Sequence, residues 1–491
     1  MKDESLTYQA VTKVDFGSVI GPREIMRPIG YDVPEIHGEV RNLFAEKIAL
    51  VSDKNCRENP PILPILGQGG SGKTFLLSDL YGKTNMNNGF FAAFELPSGP
   101  DVYEKINFDL INCLLNHVDE GIPQITPVVL NILKLMPQAR GISGPEKFHK
   151  DIQGMEIENF NKIIKNFLNW FFNEYPGDAA NCVDIVKCLF YLAKGDWKTG
   201  SLAFSWLTNT SDEDYVNSKL ALSANKIEPK DIFYRINRLM SMSGTFSVFA
   251  VDQLDIILKV EYDREKSAIR IKNPGQNKAN VLKFLEFLTD LKNNTSRTFS
   301  VIASIHDIWN LIGKYHDNVK NGIFDREVVL RPVTDPALVE KIVFKRLGET
   351  YAKEEFVPDY PTYPFPKPFF EKMAGSYPRE ILKACAKHIE RCVIRSEISE
   401  WGDDGDQRPA LVKAPELPPT VDPSTDERFL RATGLADVPA IKNLNEEHGY
   451  WQKILDALAA FVTAEERDLP ENRDLIHLRA FGGIKKQPYP N

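Results

Sequence analysis

Residues 60–82 read PPILPILGQGGSGKTFLLSDLYG, and this stretch decides the fold. A short apolar run enters a glycine-rich loop, and the loop leads directly into a segment with helical spacing. Strand, loop and helix in immediate succession are the local structure that a phosphate-binding loop requires. The sequence therefore predicts an α/β core with an anion site at the turn between strand and helix.

The loop matches the pattern G-x-x-x-x-G-K-[ST] at every position. Glycines let backbone N–H groups turn inward around a phosphate, and the positive end of the following helix faces the anion. Lys73 can neutralise charge on the β- and γ-phosphates, and Thr74 can offer its hydroxyl to Mg²⁺. The predicted ATP-binding residues are Gly67, Gly69, Gly70, Ser71, Gly72, Lys73 and Thr74. A glycine-rich turn without a ligand is the alternative, and the flanking strand and helix argue against it.

Another apolar strand lies in VFAVDQLD at residues 248–255, and its apolar run is followed directly by an acidic residue, Asp252. Asp252 is placed to hold Mg²⁺ opposite the phosphate loop, directly or through water. In active hydrolases of this kind the next residue is usually a glutamate that polarises the attacking water. Here it is Gln253, which can orient water but cannot accept a proton, and Asp255 is the candidate substitute base. The pattern predicts nucleotide binding and leaves the rate of hydrolysis open.

The whole chain has 491 residues, of which 43% are apolar and 26% charged, and its net charge is −8. These values suit several globular domains and exclude global disorder. The sequence has neither an apolar run of about 18 residues nor a secretory start, so we expect a cytoplasmic protein without a membrane segment. The negative charge excludes a strongly basic nucleic-acid coat, although local basic patches remain open.

Apolar β-rich runs separated by helical segments predict a parallel sheet that is covered on both faces. The expected division is an N-terminal arm (1–35), an α/β core (36–100 and 241–334), a helical insertion (101–240), a helical lid (335–400), a Pro/Asp-rich linker (401–425) and a small C-terminal segment (426–491). The last segment is a candidate start of a further domain, and whether the chain is a fragment stays open.

The order of phosphate loop, acidic strand, further strand and helical lid resembles AAA+ ATPases over about residues 36–395. It is similar to their origin-recognition and STAND-like branches among prokaryotic proteins. The resemblance implies a three-layer P-loop NTPase core (ASCE/AAA+) with a helical insertion and a C-terminal helical lid. It also implies a homo-oligomer, with a ring as the expected form, in which ATP and Mg²⁺ drive a switch or motor.

In such ATPases a polar residue contacts the γ-phosphate from near the end of a further strand, which corresponds here to residues 300–303. Ser304-Ile305-His306-Asp307 follows that strand here, so the resemblance assigns the role to His306 or to Ser304. A polar residue in a strand-end loop is the alternative.

Two arginines complete the site that the resemblance implies. Arg326 lies at the start of a short apolar strand at residues 326–331, where in this family an arginine reaches the neighbouring subunit's nucleotide. A local ion pair with Asp325 or Glu327 is the alternative. Arg379 opens a helix in the sequence GSYPREIL, which looks like the lid motif that senses nucleotide within the same subunit. A solvated helix-start arginine is the alternative there, although the helix dipole disfavours it.

Two further segments bear on partners. The insertion is larger than related domains need, and its segment 189–208 resembles the tryptophan-containing insert of prokaryotic defence ATPases. Ordinary helical core is the alternative for this segment. Residues 259–278 carry six basic and three acidic residues, which a solvated hairpin or a contact with nucleic acid would explain. The resemblance suggests antiviral defence, with an effector enzyme such as a nuclease or deaminase as partner. The alternatives are a DNA-associated initiator or loader and a nucleotide-binding scaffold with little turnover.

Overall fold

The structure is a computed structural model, and it describes residues 4–17, 25–26, 31–55, 59–95, 102–119, 121–210, 213–223, 227–252, 254, 260–263, 268–271, 274–315 and 323–402. The predicted C-terminal segment (426–491) and nearly all of the predicted linker lie outside the described residues. Among the described helices, none combines the length and the apolar character needed to cross a bilayer.

The elements follow the chain in this order. The first part holds α1 (Glu4–Thr12), α2 (Gly38–Ser52), β1 (Ile62–Leu66), α3 (Lys73–Met86) and β2 (Phe90–Phe94). The insertion holds α4 (Val102–Leu115), β3 (His117–Asp119), β4 (Ile122–Pro123), α5 (Ile125–Leu133), a 3₁₀ turn (Pro137–Ala139), α6 (Pro145–Gln153), α7 (Ile157–Glu174), α8 (Pro176–Lys194), α9 (Trp197–Leu207), α10 (Glu213–Leu220) and α11 (Pro229–Met242). The core resumes with β5 (Ser247–Val251), β6 (Val260–Asp263), β7 (Ala268–Ile271), α12 (Pro274–Asn294), β8 (Thr298–Ser304), α13 (His306–Tyr315) and β9 (Val328–Val329). The lid holds α14 (Pro336–Lys353), α15 (Lys367–Met373) and α16 (Pro378–Arg395).

Five strands form one parallel sheet in the order β2-β5-β8-β1-β9. Every residue of β1, β5 and β8 is buried, which explains why these strands are continuous apolar runs in the sequence. Strand β8 separates β1, which enters the phosphate loop, from β5, which ends at Asp252. This strand order is that of the ASCE/AAA+ class, so the predicted fold class is confirmed.

Helices cover both faces of the sheet. Helices α2 and α3 cover one face, where Phe44 and Leu77 pack with Phe299 of β8. The other face packs against the insertion and α12, through rings such as Phe94 of β2 and Phe233 of α11. Because successive strand residues point to opposite faces, each strand contributes to both cores. The insertion is thus packed on the sheet as part of the same apolar core.

The insertion also covers the outer edge of β2. The side-chain amide of Gln124 is buried, accepts a hydrogen bond from Phe91 N at 3.1 Å and donates one to Phe91 O at 3.0 Å. Unpaired edge groups of a strand are a template for pairing with another chain. The Gln124 side chain therefore pairs with the N–H and the C=O of Phe91, which a further strand would otherwise have paired.

The lid has its own core, and α1 belongs to it. Ala10 and Val11 of α1 are fully buried, and they pack in one cluster with Val339 of α14 and Ile381 of α16. Within the segment that was expected as an N-terminal arm (1–35), Glu4–Thr12 is thus a helix that packs on the lid. A helix this short depends on tertiary packing for its stability, and the lid supplies that packing.

Candidate functional site

The phosphate loop joins β1 to α3 at the carboxyl edge of the sheet. Gly70 and Gly72 have φ of 88° and 98°, a left-handed conformation that a residue with a Cβ adopts only at a cost. Ser71 is fully buried, and its hydroxyl has no hydrogen-bond partner within the described part of the chain. A buried hydroxyl without a partner is costly, which favours a ligand at this loop.

Lys73 is the first residue of α3, and its side chain folds back over the loop. Its Nζ donates to Gly67 O at 2.7 Å and to Gln68 O at 3.1 Å. Phosphate oxygens would compete for these N–H donors, because their negative charge attracts the ammonium more strongly than a neutral carbonyl oxygen does. The ammonium is thus held beside the place where a triphosphate is expected.

A hydroxyl and a carboxylate meet beside the loop. Thr74 Oγ1 donates to Asp252 Oδ2 at 3.0 Å, although the two residues are 178 positions apart in the chain. Asp252 is 5% exposed at the end of β5. Hydroxyl and carboxylate oxygens are the ligands that Mg²⁺ prefers in phosphate sites, where it also keeps several waters. The Thr74 hydroxyl and the Asp252 carboxylate therefore fit Mg²⁺. Gln253 and Asp255 lie outside the described residues.

Ser304 and His306, the two candidates for the γ-phosphate contact, occupy different positions. Ser304 ends β8 opposite Leu66, its backbone oxygen accepts from Gly67 N at 3.1 Å, and its hydroxyl lies 3.2 Å from Ile305 O as a donor. His306 begins α13 and is exposed. Ser304 is therefore built into the junction with the phosphate loop, and His306 lies on the first turn beyond it. The γ-phosphate role stays a prediction for both.

Arg326 stands exposed before β9 and has no hydrogen bond or ion pair within the described residues. The local partners that were considered are engaged elsewhere. Asp325 pairs with Lys47 at 3.2 Å, and Glu327 accepts from the indole of Trp309 at 2.6 Å. The local ion pair is thus not formed, and the role across a subunit boundary stays a prediction.

Arg379 sits directly on the phosphate loop. Its backbone N donates to Gly70 O at 3.3 Å, and a Cβ at Gly70 would collide with its Cβ and lie 2.8 Å from its Cδ. Glu380 holds the start of α16, because its carboxylate accepts from Tyr377 N at 2.8 Å. The lid therefore contacts the phosphate loop where the aliphatic part of the Arg379 side chain packs on Gly70.

A cavity of about 160 Å³ continues from the loop between the core and the lid. Its lining includes residues that no sequence motif singles out: Tyr31, Asp32, His37, Arg41 and Arg346. Arg41 is buried and pairs with Asp32 at 2.6 Å and with Asp79 of α3 at 2.9 Å. It thereby fixes the segment before α2 to the helix of the phosphate loop. No motif spacing in the sequence marks these residues, because only the tertiary fold brings them together.

His37 connects this segment to the loop. Its Nε2 lies 2.9 Å from Ser71 O, which can only accept, so Nε2 carries the proton. Burial lowers the pKa of the His37 imidazole below its ordinary value, and the hydrogen bond to Ser71 offsets this only in part. The residue takes a left-handed backbone with φ of 56°, a conformation that is uncommon for a non-glycine residue.

Replacing Gly70 by alanine is expected to lower ATP affinity about tenfold, because the added Cβ meets the Arg379 stem and the positive φ adds strain. Gly82→Ala is the matched control, since a Cβ at Gly82, within α3 and outside the loop, has open space around it. Titration calorimetry with MgATP measures both. Equal affinities for the two variants would show that the lid does not depend on this contact.

Comparisons with known proteins give distant likenesses only. No protein-family model matches the chain, and no curated protein sequence matches it. Among solved structures it is similar to the Aeropyrum pernix ORC2 protein in its ADP form (11% identity, TM-score 0.34, 78% of this chain and 70% of that chain). It is likewise similar to ORC2 in ADPNP-ADP complexes (10%, 0.34, 80% and 70%) and to the Aeropyrum pernix ORC1 protein in complex with DNA (11%, 0.32, 85% and 73%). The strand order and the loop geometry, and not these likenesses, carry the fold assignment.

Proposed function

We propose that this chain binds ATP between its α/β core and its lid and hydrolyses it. The observation that carries the proposal is the 3.0 Å approach of the Thr74 hydroxyl to the Asp252 carboxylate, at the end of a fully matched phosphate loop. A hydroxyl and an acid in this relation to a loop lysine are the parts that hold a magnesium–triphosphate complex. An anion site that binds phosphate without Mg²⁺ would have no use for Asp252.

Each residue then has one task. Thr74 and Asp252 would hold Mg²⁺, which when bound neutralises charge on the phosphate oxygens. Lys73 would exchange its two loop carbonyls for phosphate oxygens. Arg379, whose guanidinium makes no ion pair among the described residues, would contact the nucleotide from the lid. Gln253 or Asp255 would orient the attacking water.

The active form in this proposal is a homo-oligomer, with a ring as the expected arrangement. Arg326 supports it, because this exposed arginine beside the sheet edge has no hydrogen bond or ion pair among the described residues and could serve a neighbouring copy. An arginine delivered from a second subunit stabilises charge on the transferring phosphoryl group. On the sequence resemblance alone, we extend the proposal to a switch or motor in prokaryotic antiviral defence that regulates an effector enzyme such as a nuclease or deaminase.

A DNA-associated initiator or loader is the second candidate function. Strands β6 and β7 form an antiparallel hairpin soon after the acidic strand, within the segment that carries six basic and three acidic residues. Repeated around a ring, such hairpins would meet phosphates together. Salt-dependent stimulation of turnover by duplex DNA would favour this candidate over the first.

Asp252→Asn is expected to lower ATP turnover at least about 100-fold while ATP affinity changes little, because the amide keeps the shape but loses the charge that faces Mg²⁺. Asp307→Asn, at a nearby exposed acid on α13, is the matched control. Phosphate release and calorimetry with MgATP measure the two quantities. Wild-type turnover in Asp252→Asn would contradict the proposed function.

A further inference from the structure

The outer face of the lid helix α16 carries a regular series of basic side chains. Lys383, Lys387 and Arg391 are exposed and follow one another at intervals of four residues. Residues four apart lie on the same side of an α-helix, so these three side chains, here named the basic row, form one line of positive charge. Arg395 continues the same spacing at the end of the helix.

The basic row does not contribute to the stability of the lid. Like charges four residues apart on a helix repel each other and destabilise it. The helix dipole favours cations only near the C-terminal end, whereas Lys383 lies in the first half of α16. Within the described residues the row forms no ion pair, although other lid lysines do, as Lys341 does with Glu35 and Lys353 with Glu349. A partner with matching negative charge would explain this arrangement.

The row gives one positive face to a protein that is acidic as a whole. The net charge of the chain is −8, so binding to a polyanion requires a local patch of this kind. Two acids also lie on α16. Glu380 is engaged at the helix start, where its carboxylate accepts a backbone hydrogen bond, and Glu390 lowers the charge of the outer face by one.

The spacing of the row suits the phosphates of a DNA duplex. An α-helix rises 1.5 Å per residue, so Lys383 and Arg391 lie about 12 Å apart along the helix axis. Each strand of duplex DNA carries one phosphate for about every 3.4 Å of its axis, and a row of this length therefore faces about three or four phosphates. Because a short duplex is stiff and nearly straight, a straight row can contact several of its phosphates at once.

The remainder of α16 argues against other polyanions. A helix that binds a membrane surface needs a free apolar face, but the apolar face of α16 is buried in the lid core: Ile381, Leu382, Cys385, Ile389 and Cys392. Single-stranded nucleic acid is bound largely by stacking its bases on aromatic rings, and α16, which is described throughout, contains no Phe, Tyr or Trp. The row thus offers charge alone, which is what a duplex backbone requires.

We propose that the basic row binds the phosphate backbone of duplex DNA without selecting its sequence. The inference goes beyond the proposed ATPase function and does not depend on it, because no residue of the row lines the nucleotide cavity. It gives the second candidate function a contact surface on the lid, separate from the β6–β7 hairpin.

The test measures binding of the full chain to a short fluorescent DNA duplex by anisotropy, without nucleotide, over a range of salt concentrations. Lys383→Ala, Lys387→Ala and Arg391→Ala together are expected to weaken binding about tenfold or more at about 0.1 M salt. The slope of log affinity against log salt should become shallower by about three, because each lost phosphate contact removes about 0.9.

The matched control removes the same number of charges from the insertion. Lys150→Ala, Lys162→Ala and Lys165→Ala together change exposed lysines on α6 and α7, and this variant should bind the duplex as the wild type does. Lys383→Arg with Lys387→Arg keeps the charges of the row and should also bind as the wild type does, since the row acts through charge.

Thermal unfolding separates binding from a structural role. The midpoint of the row variant should equal or exceed that of the wild type, because alanine is the best helix former and like-charge repulsion is removed. ATP turnover without DNA should be unchanged in the same variant, so a failure of this inference and a failure of the proposed function are seen in different measurements.

Four outcomes would overturn the proposal: a wild-type chain that does not bind the duplex, unchanged duplex binding in the row variant, an equal loss in the control from the insertion, or a loss accompanied by a lowered thermal midpoint. Tighter binding of the wild type to anionic lipid vesicles or to single-stranded DNA than to the duplex would overturn it as well. If only the row variant is unchanged, DNA contact by the second candidate function is left to the hairpin.

Discussion

Lys73→Ala is expected to weaken ATP binding by about 100-fold or more and to remove turnover. Its Nζ is held 2.7 Å from Gly67 O, at the position from which it would reach the β- and γ-phosphates. Each hydrogen bond from a charged donor contributes about 1.5–3 kcal/mol, and two such bonds correspond to a loss of this size. Titration calorimetry with MgATP and phosphate release measure the effect.

The matched control for this variant is Lys83→Ala. Lys83 lies in the last turn of the same helix, where it pairs with Asp79 at 3.0 Å, so its loss should leave ATP binding near the wild-type value. Thermal unfolding without nucleotide checks that both variants fold. Unchanged ATP binding in Lys73→Ala would refute nucleotide binding at this loop, and with it the proposed function.

Arg326→Ala is expected to lower turnover by about 10³-fold or more while ATP affinity stays within about threefold, because an arginine from a neighbouring subunit acts on the transition state and not on binding. Arg331→Ala is the matched control, since Arg331 is also exposed and lies five positions further along. Phosphate release at saturating MgATP measures the change at protein concentrations that favour assembly.

A mixing experiment tests whether Arg326 acts between copies. Mixed assemblies of Arg326→Ala and Asp252→Asn contain sites with an intact Asp252 from one variant beside an intact Arg326 from the other. Turnover should therefore recover in the mixture to well above either variant alone. No recovery, or a parallel loss of ATP affinity in Arg326→Ala, would place Arg326 outside a shared site.

The sequence allowed the central sheet and the phosphate loop to be predicted because both depend on local information. Buried parallel strands are apolar throughout, and the loop needs glycines at fixed spacing. Asp252 could be chosen although it lies 178 positions from Thr74, since the strand that carries it ends in acid after an apolar run.

The part of the cavity beyond the phosphate loop could not be predicted in this way. Tyr31 and Arg346 are 315 positions apart in the chain, and neither stands in a motif that suggests the other. Helix α1 was missed for a related reason: its buried residues, Ala10 and Val11, are small and adjacent, so they show no helical period. In both cases the decisive partner is supplied by the lid, which local patterns do not reveal.

The buried amide of Gln124 determines how the protein can be divided for experiments. Because the insertion provides this side chain to Phe91 and packs its helices on the same sheet face, cutting out residues 101–240 would uncover both an unpaired strand edge and an apolar surface. A shortened protein made that way would be expected to self-associate through that edge. What the inserted helices recognise is therefore better tested with point substitutions on their outer surface than with shortened proteins.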